Sequence, residues 1–401
     1  MYKVHKAYKI RIYPNETQKV LFAKTFGCCR FVYNYMLDLK QTTYTKDKLT
    51  LSVYDCIKQL PDLKKEHLWL KEVDSVALQQ SIKDLGKAYQ NFFRDPRVTG
   101  FPHFKSKYNH RQTYRTNANG NNIRIVDLKH IHLPKLGSIK AKISDKPQGR
   151  ILSATIEHSP SNKYFCTVLC DTDIASRPKP KNDAIGVDLG VTKLVATSNG
   201  TTYENPHALA IQEEKLLRAQ KILSRKKKGS KNYEKQRIRV ARLHEKVKNT
   251  RKDAMHKLTT ALINENQVIV AETLKPKNMV KNHHLARSIS DASFGEIIRQ
   301  FSYKAEWYKR TFIQIDQFFP STKTCSRCGY TQDIPLSQRT YVCPQCGLTL
   351  DRDINAAKNI LQTGLKQLGW DTPEVNACGE HVRPTQIADK AELSEARIPC
   401  L

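Results

Sequence analysis

The sequence predicts a multidomain protein of mixed α/β class, with an all-β part and a helical part beside the α/β domain. Three observations lead there. Two short apolar runs, Ala184–Asp188 and Val268–Glu272, each end on a single acid. Alternating runs at 7–13, 151–157 and 164–171 read as strands, while 16–36 and 74–93 carry a helical period. Two Cys-x-x-Cys pairs lie 14 residues apart near the C-terminal end.

Composition narrows the function classes. The 401 residues suffice for two or three domains, and 39% hydrophobic with 26% charged residues suits a folded globular chain. The formal net charge is +30, from 68 Lys+Arg against 38 Asp+Glu. Such an excess repels itself in a compact state unless a polyanion neutralises it, and nucleic acid is the polyanion that suits. No segment carries the roughly 18 consecutive apolar residues of a membrane span. The start, Met1-Tyr-Lys-Val-His-Lys6, has basic residues without the apolar stretch of a secretory signal. Eleven cysteines, an odd number with four in a metal-ligand pattern, favour a reducing interior over a disulfide framework. The expected location is cytoplasmic, on the nucleoid when DNA is bound, with no membrane partner.

Taken in order, Ala7–Tyr13 alternates and is closed by Pro14-Asn15. From Glu16 the period becomes helical through Leu21, Cys28, Val32 and Met36, with Cys28 and Cys29 expected in the core. A second helix, about 74–93, presents Val76, Leu78, Ile82, Leu85, Tyr89 and Phe92 to one side; Gln79, Gln80, Lys83, Lys87 and Gln90 project elsewhere. Glutamine can read adenine edges, and a plain solvated face is the alternative. Around 100–135 aromatic and basic residues interleave, with Tyr114, Arg115 and Asn122 as candidate nucleic-acid contacts by stacking and phosphate binding. The runs 151–157 and 164–171 predict an antiparallel hairpin, and Asp173–Asn182 a linker. Between Glu213 and Lys257 stand 17 Lys/Arg against 5 Asp/Glu, in two helices broken near Gly229-Ser230. That bias is too one-sided for an internally salt-bridged helix, so a phosphate-binding surface including Arg225, Lys226, Lys227 and Lys228 is favoured. Residues 371–401 carry six acids, three Lys/Arg and no period, and are expected to form a loosely ordered tail.

Cys325, Cys328, Cys343 and Cys346 have the spacing of a zinc ribbon, and Gly329 and Gly347 follow each pair where the knuckle needs a left-handed residue. Four thiolates close a tetrahedral shell, so this Zn2+ is structural and the chemistry lies elsewhere. Asp188, Glu272 and an acid of Asp351-Arg352-Asp353 are the candidates for it. Singly, each could cap a strand end or pair with a cation. Together, two acids at strand ends and one at a helix start form the kind of set that collects hard divalent cations such as Mg2+. Two ions in such a site activate a water and stabilise the leaving oxygen of a phosphodiester. No Ser–His pair or glycine-rich phosphate loop competes for the role.

These residues carry a resemblance. The order strand-Asp188, basic helical insert, strand-Glu272, Cys-x-x-Cys ribbon and Asp351-Arg-Asp353-x-Asn355-Ala-Ala is similar to the TnpB family of transposon-encoded RNA-guided DNA nucleases, related to type V CRISPR effectors. The likeness extends from Tyr8-Lys-Ile-Arg-Ile-Tyr-Pro14 through Gly100-Phe-Pro-His-Phe104, Leu133–Gly137 and Leu274–Met279 to Val382-Arg-Pro384, nearly the whole chain. It implies an RNase H-like RuvC nuclease domain over 180–370, holding a basic helical insert at about 205–258 and the zinc ribbon at 321–350. It also implies a wedge-like β-barrel from 1–15 and 110–178 and a helical recognition lobe at 16–109. By motif match Asp188, Glu272 and Asp353 would hold two Mg2+ and catalyse, with Asp353 preferred over Asp351. The implied partners are a guide RNA from the transposon end and double-stranded DNA bearing a short adjacent motif; Gln79 and the Tyr114–Asn122 segment are candidates for reading that motif. The expected function is RNA-guided DNA cleavage. A guided but non-cutting repressor, which accompanies loss of an acid, and a transposase are the alternatives.

Overall fold

Period-two alternation builds the first sheet. In a computed structural model describing residues 3–173, 179–335 and 337–369, β1 (Lys3–Tyr13) buries Val4, Tyr8, Ile10 and Ile12 and exposes Lys3, His5, Ala7, Lys9 and Tyr13. It lies inside a seven-stranded antiparallel sheet with β2 (Gln112–Asn117), β3 (Arg124–Asp127), β4 (His130–Leu133), β5 (Gly137–Lys142), β6 (Arg150–His158) and β7 (Tyr164–Asp173), in the order β2-β6-β7-β1-β5-β4-β3. The expected hairpin is β6–β7, with Ala154 opposite Val168. The barrel implied by the family likeness takes the form of this sheet, with β2 and β3 as its end strands.

Helices cover the sheet. The first is α1 (Glu16–Asp47), which starts with a capping box: Asn15 accepts from the Gln18 backbone, and the Gln18 side chain accepts from that of Asn15. Its buried residues, Phe22, Phe26, Cys29, Tyr33, Met36 and Leu37 among them, repeat at three- and four-residue intervals and face the core. Burial pushes the Cys28 thiol up to about 11 and that of Cys29 higher still, as expected of inert core cysteines. Then follow α2 (Val53–Lys58), α3 (Leu60–Glu66) and α4 (Ser75–Arg94), the last capped by Asp74. A Cβ on Gly86 would stand 2.2 Å from Val53, so α2 and α4 pack closely only because that position is glycine. The same compact unit, residues 1–178, 206–257 and 306–309, takes in the basic helices α5 (Ala208–Ser224) and α6 (Lys231–Glu265) as far as Lys257. Leu216, Ala219 and Val240 join them, and Gly229 in the turn has φ +85°. The expected linker lies partly on residues 174–178, and the expected C-terminal tail, 371–401, lies wholly outside the described residues.

The second unit, residues 179–205, 258–305 and 310–401, is built on a five-stranded sheet. Its strands are β8 (Asn182–Asp188), β9 (Lys193–Thr197), β10 (Thr202–Glu204), β11 (Asn266–Glu272) and β12 (Thr311–Ile315), in the order β10-β9-β8-β11-β12. The first three are antiparallel, while β11 runs parallel to both β8 and β12. Three antiparallel strands followed by two parallel ones are the order and sense of an RNase H-like sheet. Helices α7 (Pro276–Met279), α8 (His283–Ala292) and α9 (Phe294–Tyr308) connect β11 to β12. After β12 the chain forms the cysteine ribbon with β13 (Thr340–Val342) and β14 (Thr349–Asp351), then α10 (Arg352–Gln367), which packs on the sheet. Among the described residues, no helix is long and apolar enough to cross a membrane.

Candidate active site

Backbone proximity between α10 and the sheet determines where the acids stand. A Cβ on Gly186 would lie 2.1 Å from the carbonyl oxygen of Ala357, and one on Gly364 would lie 2.3 Å from Val270 Cγ1. Those two glycines let α10 lie directly on β8 and β11. Side chains alternate along a strand, so Asp188, two beyond Gly186, and Glu272, two beyond Val270, face the same side as α10. The parallel register pairs Val187 with Ala271. Asp188 and Glu272 therefore follow at the same level on neighbouring strands, whose spacing in a sheet is about 4.8 Å. Asp353 enters from the first turn of α10.

Electrostatics links Asp188 to the other two acids. Asp188 is partly buried, and that desolvation, reinforced by the negative charges of Glu272 and Asp353, pushes its carboxyl up to about 8. The Arg352 guanidinium pulls the other way; it lies 3.4 Å from Asp353 Oδ1 and donates to the Gln338 carbonyl at 3.1 Å. Burial raises Glu272 as well, against the Ser321 hydroxyl that donates to its Oε1. Glu272 and Asp353 raise the proton affinity of Asp188, so the surroundings of that carboxyl are short of positive charge.

Asp351 has a different task. Its Oδ1 accepts from the backbone N–H groups of Asp353 and Ile354 at 2.9 and 3.3 Å, capping α10, while Lys193 Nζ holds Oδ2 at 2.8 Å. Those contacts keep its carboxyl below the ordinary range. Asn355 and Asn359, one turn apart on the buried side of α10, grip the entrance to the ribbon. Asn355 donates to the Thr324 carbonyl at 2.7 Å and accepts from the Ser326 N–H at 3.0 Å; Asn359 donates to the carbonyls of Ser321 and Thr324. Sequence reading missed Ser321, Asn359 and Lys193. The two asparagines left a signal, polar residues four apart on an otherwise apolar face, whereas Ser321 in a polar loop left none.

The four ligand sulfurs of Cys325, Cys328, Cys343 and Cys346 lie within 4.8 Å of one another. Each knuckle is closed alike: Gly329 N–H to Cys325 O and Gly347 N–H to Cys343 O, both at 3.0 Å, with φ +76° and +70° at the glycines. A soft, all-sulfur set of this size fits Zn2+. Tyr341 is fully buried beneath it.

The candidate nucleic-acid contacts separate into distinct environments. Tyr114 is a core residue, its ring against Phe22 and Phe26, so it is not a base-stacking platform. Gln80, expected on the outer side of its helix, is buried and accepts from Arg115, which also reaches Asp84 at 3.3 Å. Period analysis located the apolar stripe of α4 but not the second side that β2 covers. Gln79 is half-buried, and Asn122 accepts from the Asn119 N–H. Arg225, Lys227 and Lys228 are exposed in the α5–α6 turn, with Lys226 half-buried beside them.

A family model described as "Probable transposase" matches residues 157–283, and one described as "Cas12f1-like, TNB domain" matches 294–360. A third, "Helix-turn-helix domain", matches 1–48, where the structure has strand β1 and the single long helix α1. A protein of Streptomyces pristinaespiralis named "Putative RNA-guided DNA endonuclease" is 34% identical over 99% of this chain and 96% of its own length. The chain belongs to the TnpB family. An Escherichia coli K12 relative of that same name, InsQ, is 32% identical over 94% of each chain, and a mimivirus TnpB-like protein is 30% identical over 56% of this one. Among solved structures, that of a mini-RNA-guided endonuclease, CRISPR-Cas phi3, overlaps 89% of this TnpB chain and 92% of its own, at 10% identity and a TM-score of 0.49.

Proposed function

We propose that this TnpB-family chain is an RNA-guided DNA endonuclease, cleaving target DNA beside a short adjacent motif by Mg2+-dependent phosphodiester hydrolysis. The reading is supported by the register and close packing of β8, β11 and α10, the three elements that carry Asp188, Glu272 and Asp353, and by the effect of the latter two on Asp188. An oxygen-only donor set, partly buried and electrostatically deficient in cations, suits Mg2+ rather than a soft metal. Bound there, two Mg2+ would supply an activated water and charge stabilisation for the leaving oxygen. The chain's own residues do the rest. Asp188 holds its proton more tightly than an ordinary carboxyl, Arg352 balances Asp353, and Asp351 with Lys193 fixes the helix start from which Asp353 projects.

The guide RNA and target DNA of this reading match the basic surface, with Arg225–Lys228 contacting phosphates. Gln79 and Asn122 are its candidates for reading the adjacent motif. The domain plan of the reading is a wedge sheet, a helical recognition lobe and a RuvC nuclease. The test is cleavage by protein purified with its own RNA, on DNA with randomised flanks. Asp188→Ala should abolish Mg2+-dependent cutting and keep RNA binding; cutting at wild-type rate by that variant would remove the site from the reading.

A further inference from the structure

We infer that Ser321 is a positioning residue for the nuclease centre, holding the Glu272 carboxylate in the rotamer that a divalent cation needs. This rests on the metal-site reading proposed above.

Glu272 stands at the end of β11, where nothing in the strand itself orients its side chain. A glutamate has three torsions to lose before it can serve as a fixed ligand. Ser321 supplies the restraint, its hydroxyl donating to Glu272 Oε1. A hydroxyl donor occupies one lone pair of one oxygen, which leaves Oε2 and the remaining lone pair for a cation. Ligating carboxylates are commonly held by such outer hydrogen bonds, whose loss costs about 10–100-fold in metal affinity or activity.

The hydroxyl is itself held. Ser321 is buried, its backbone N–H donates to the Phe319 carbonyl at 2.8 Å, and its carbonyl accepts from Asn359 Nδ2 at 2.7 Å. Asn359 also donates to the Thr324 carbonyl, one residue before the zinc ligand Cys325, and Asn355 fastens that carbonyl a second time. One helix therefore presents Asp353 to the site and, through Asn359, sets the loop whose hydroxyl orients Glu272. On the other side Thr273, next to Glu272, is tied by N–H and hydroxyl to the Ile315 carbonyl at 3.2 and 2.7 Å, which fixes the backbone from which Glu272 projects.

Two nearly isosteric variants isolate the hydroxyl: Ser321→Thr keeps the donor, and Ser321→Val removes it at almost the same volume. Mn2+ binding to the RNA-loaded protein is measured by electron paramagnetic resonance, with cleavage followed across a Mg2+ titration. Zinc content and melting temperature are measured alongside. Ser321→Val should weaken Mn2+ about 10–100-fold and raise the Mg2+ needed for half-maximal cutting by a similar factor, with the rate largely recovered at saturating Mg2+. Ser321→Thr should stay within about threefold of wild type. Equal Mn2+ affinity in the two variants, in a protein whose Mn2+ binding is lost in Asp188→Ala, overturns the positioning role and leaves the site standing. A wild-type protein showing no Mn2+ binding that depends on Asp188 overturns the site itself, and this inference with it. If Ser321→Val loses zinc or melts early, Ser321→Ala, with no added bulk in the buried loop, must give the same Mn2+ deficit at wild-type zinc content, or the inference fails.

Discussion

Asp188 carries the strongest electrostatic imprint of any described carboxyl. Held up to about 8, it is protonated at neutral pH, and a cation must displace that proton to bind. Metal affinity should accordingly rise about tenfold per pH unit from 6 towards 8 and then level, as measured by Mn2+ titration at fixed ionic strength; a flat profile would contradict it. The sign for stability is the reverse. The folded pKa lies above the unfolded one, so between about pH 4 and 8 the folded state keeps a proton that the unfolded chain has released, and stability without Mg2+ falls as pH rises. Asp188→Asn should remove that slope, worth on the order of a few kcal/mol, and raise the Mg2+-free melting temperature at pH 8 while abolishing cutting. At this scale the acids stand out in the sequence only as a set, since each alone has a bland reading as a strand-end cap or an ion pair, whereas two at strand ends with one at a helix start suit a divalent cation. Tyr114 and Gln80 were not, since a period identifies one buried side and is silent about a second element laid over another.

At the level of elements, the site exists because α10 lies against the sheet with almost no side chain between. Gly364→Ala should destabilise the protein by about 1–3 kcal/mol, because the new methyl meets Val270 at 2.3 Å. Val270→Ala in the same chain should return part of that loss, which chemical denaturation of the double variant would show as non-additivity. Gly186→Ala meets backbone, the Ala357 carbonyl, and has no comparable rescue. Starts and stops of helices were readable: Pro14-Asn15 before α1, Gly229-Ser230 between α5 and α6. Strand order was not. The alternation that reveals β1 as a strand carries no label for its neighbours, and it lies between β7 and β5, more than a hundred residues further along.

Across the whole molecule, a net charge of +30 makes nucleic-acid binding a matter of counterions. RNA affinity should fall by roughly 10³ or more between 50 and 200 mM salt, and neutralising Arg225, Lys226, Lys227 and Lys228 together should flatten that slope, as read by filter binding. Charge balance and cysteine spacing made the partner class and the zinc ribbon plain from composition and pattern alone. The link between ribbon and nuclease, made by Asn355 and Asn359, needed the folded chain, because it joins residues about 30 apart through single hydrogen bonds. Cleavage depends on which acids hold the cation. The decisive measurement compares Mg2+-dependent target cleavage by RNA-loaded Asp188→Ala, Glu272→Ala, Asp353→Ala and Asp351→Ala proteins. Cutting should vanish in the first three and persist within about tenfold of wild type in the fourth, which loses a helix cap worth about 1 kcal/mol. Wild-type cutting by any of the first three, or an Asp351→Ala protein as inert as they are, would contradict it.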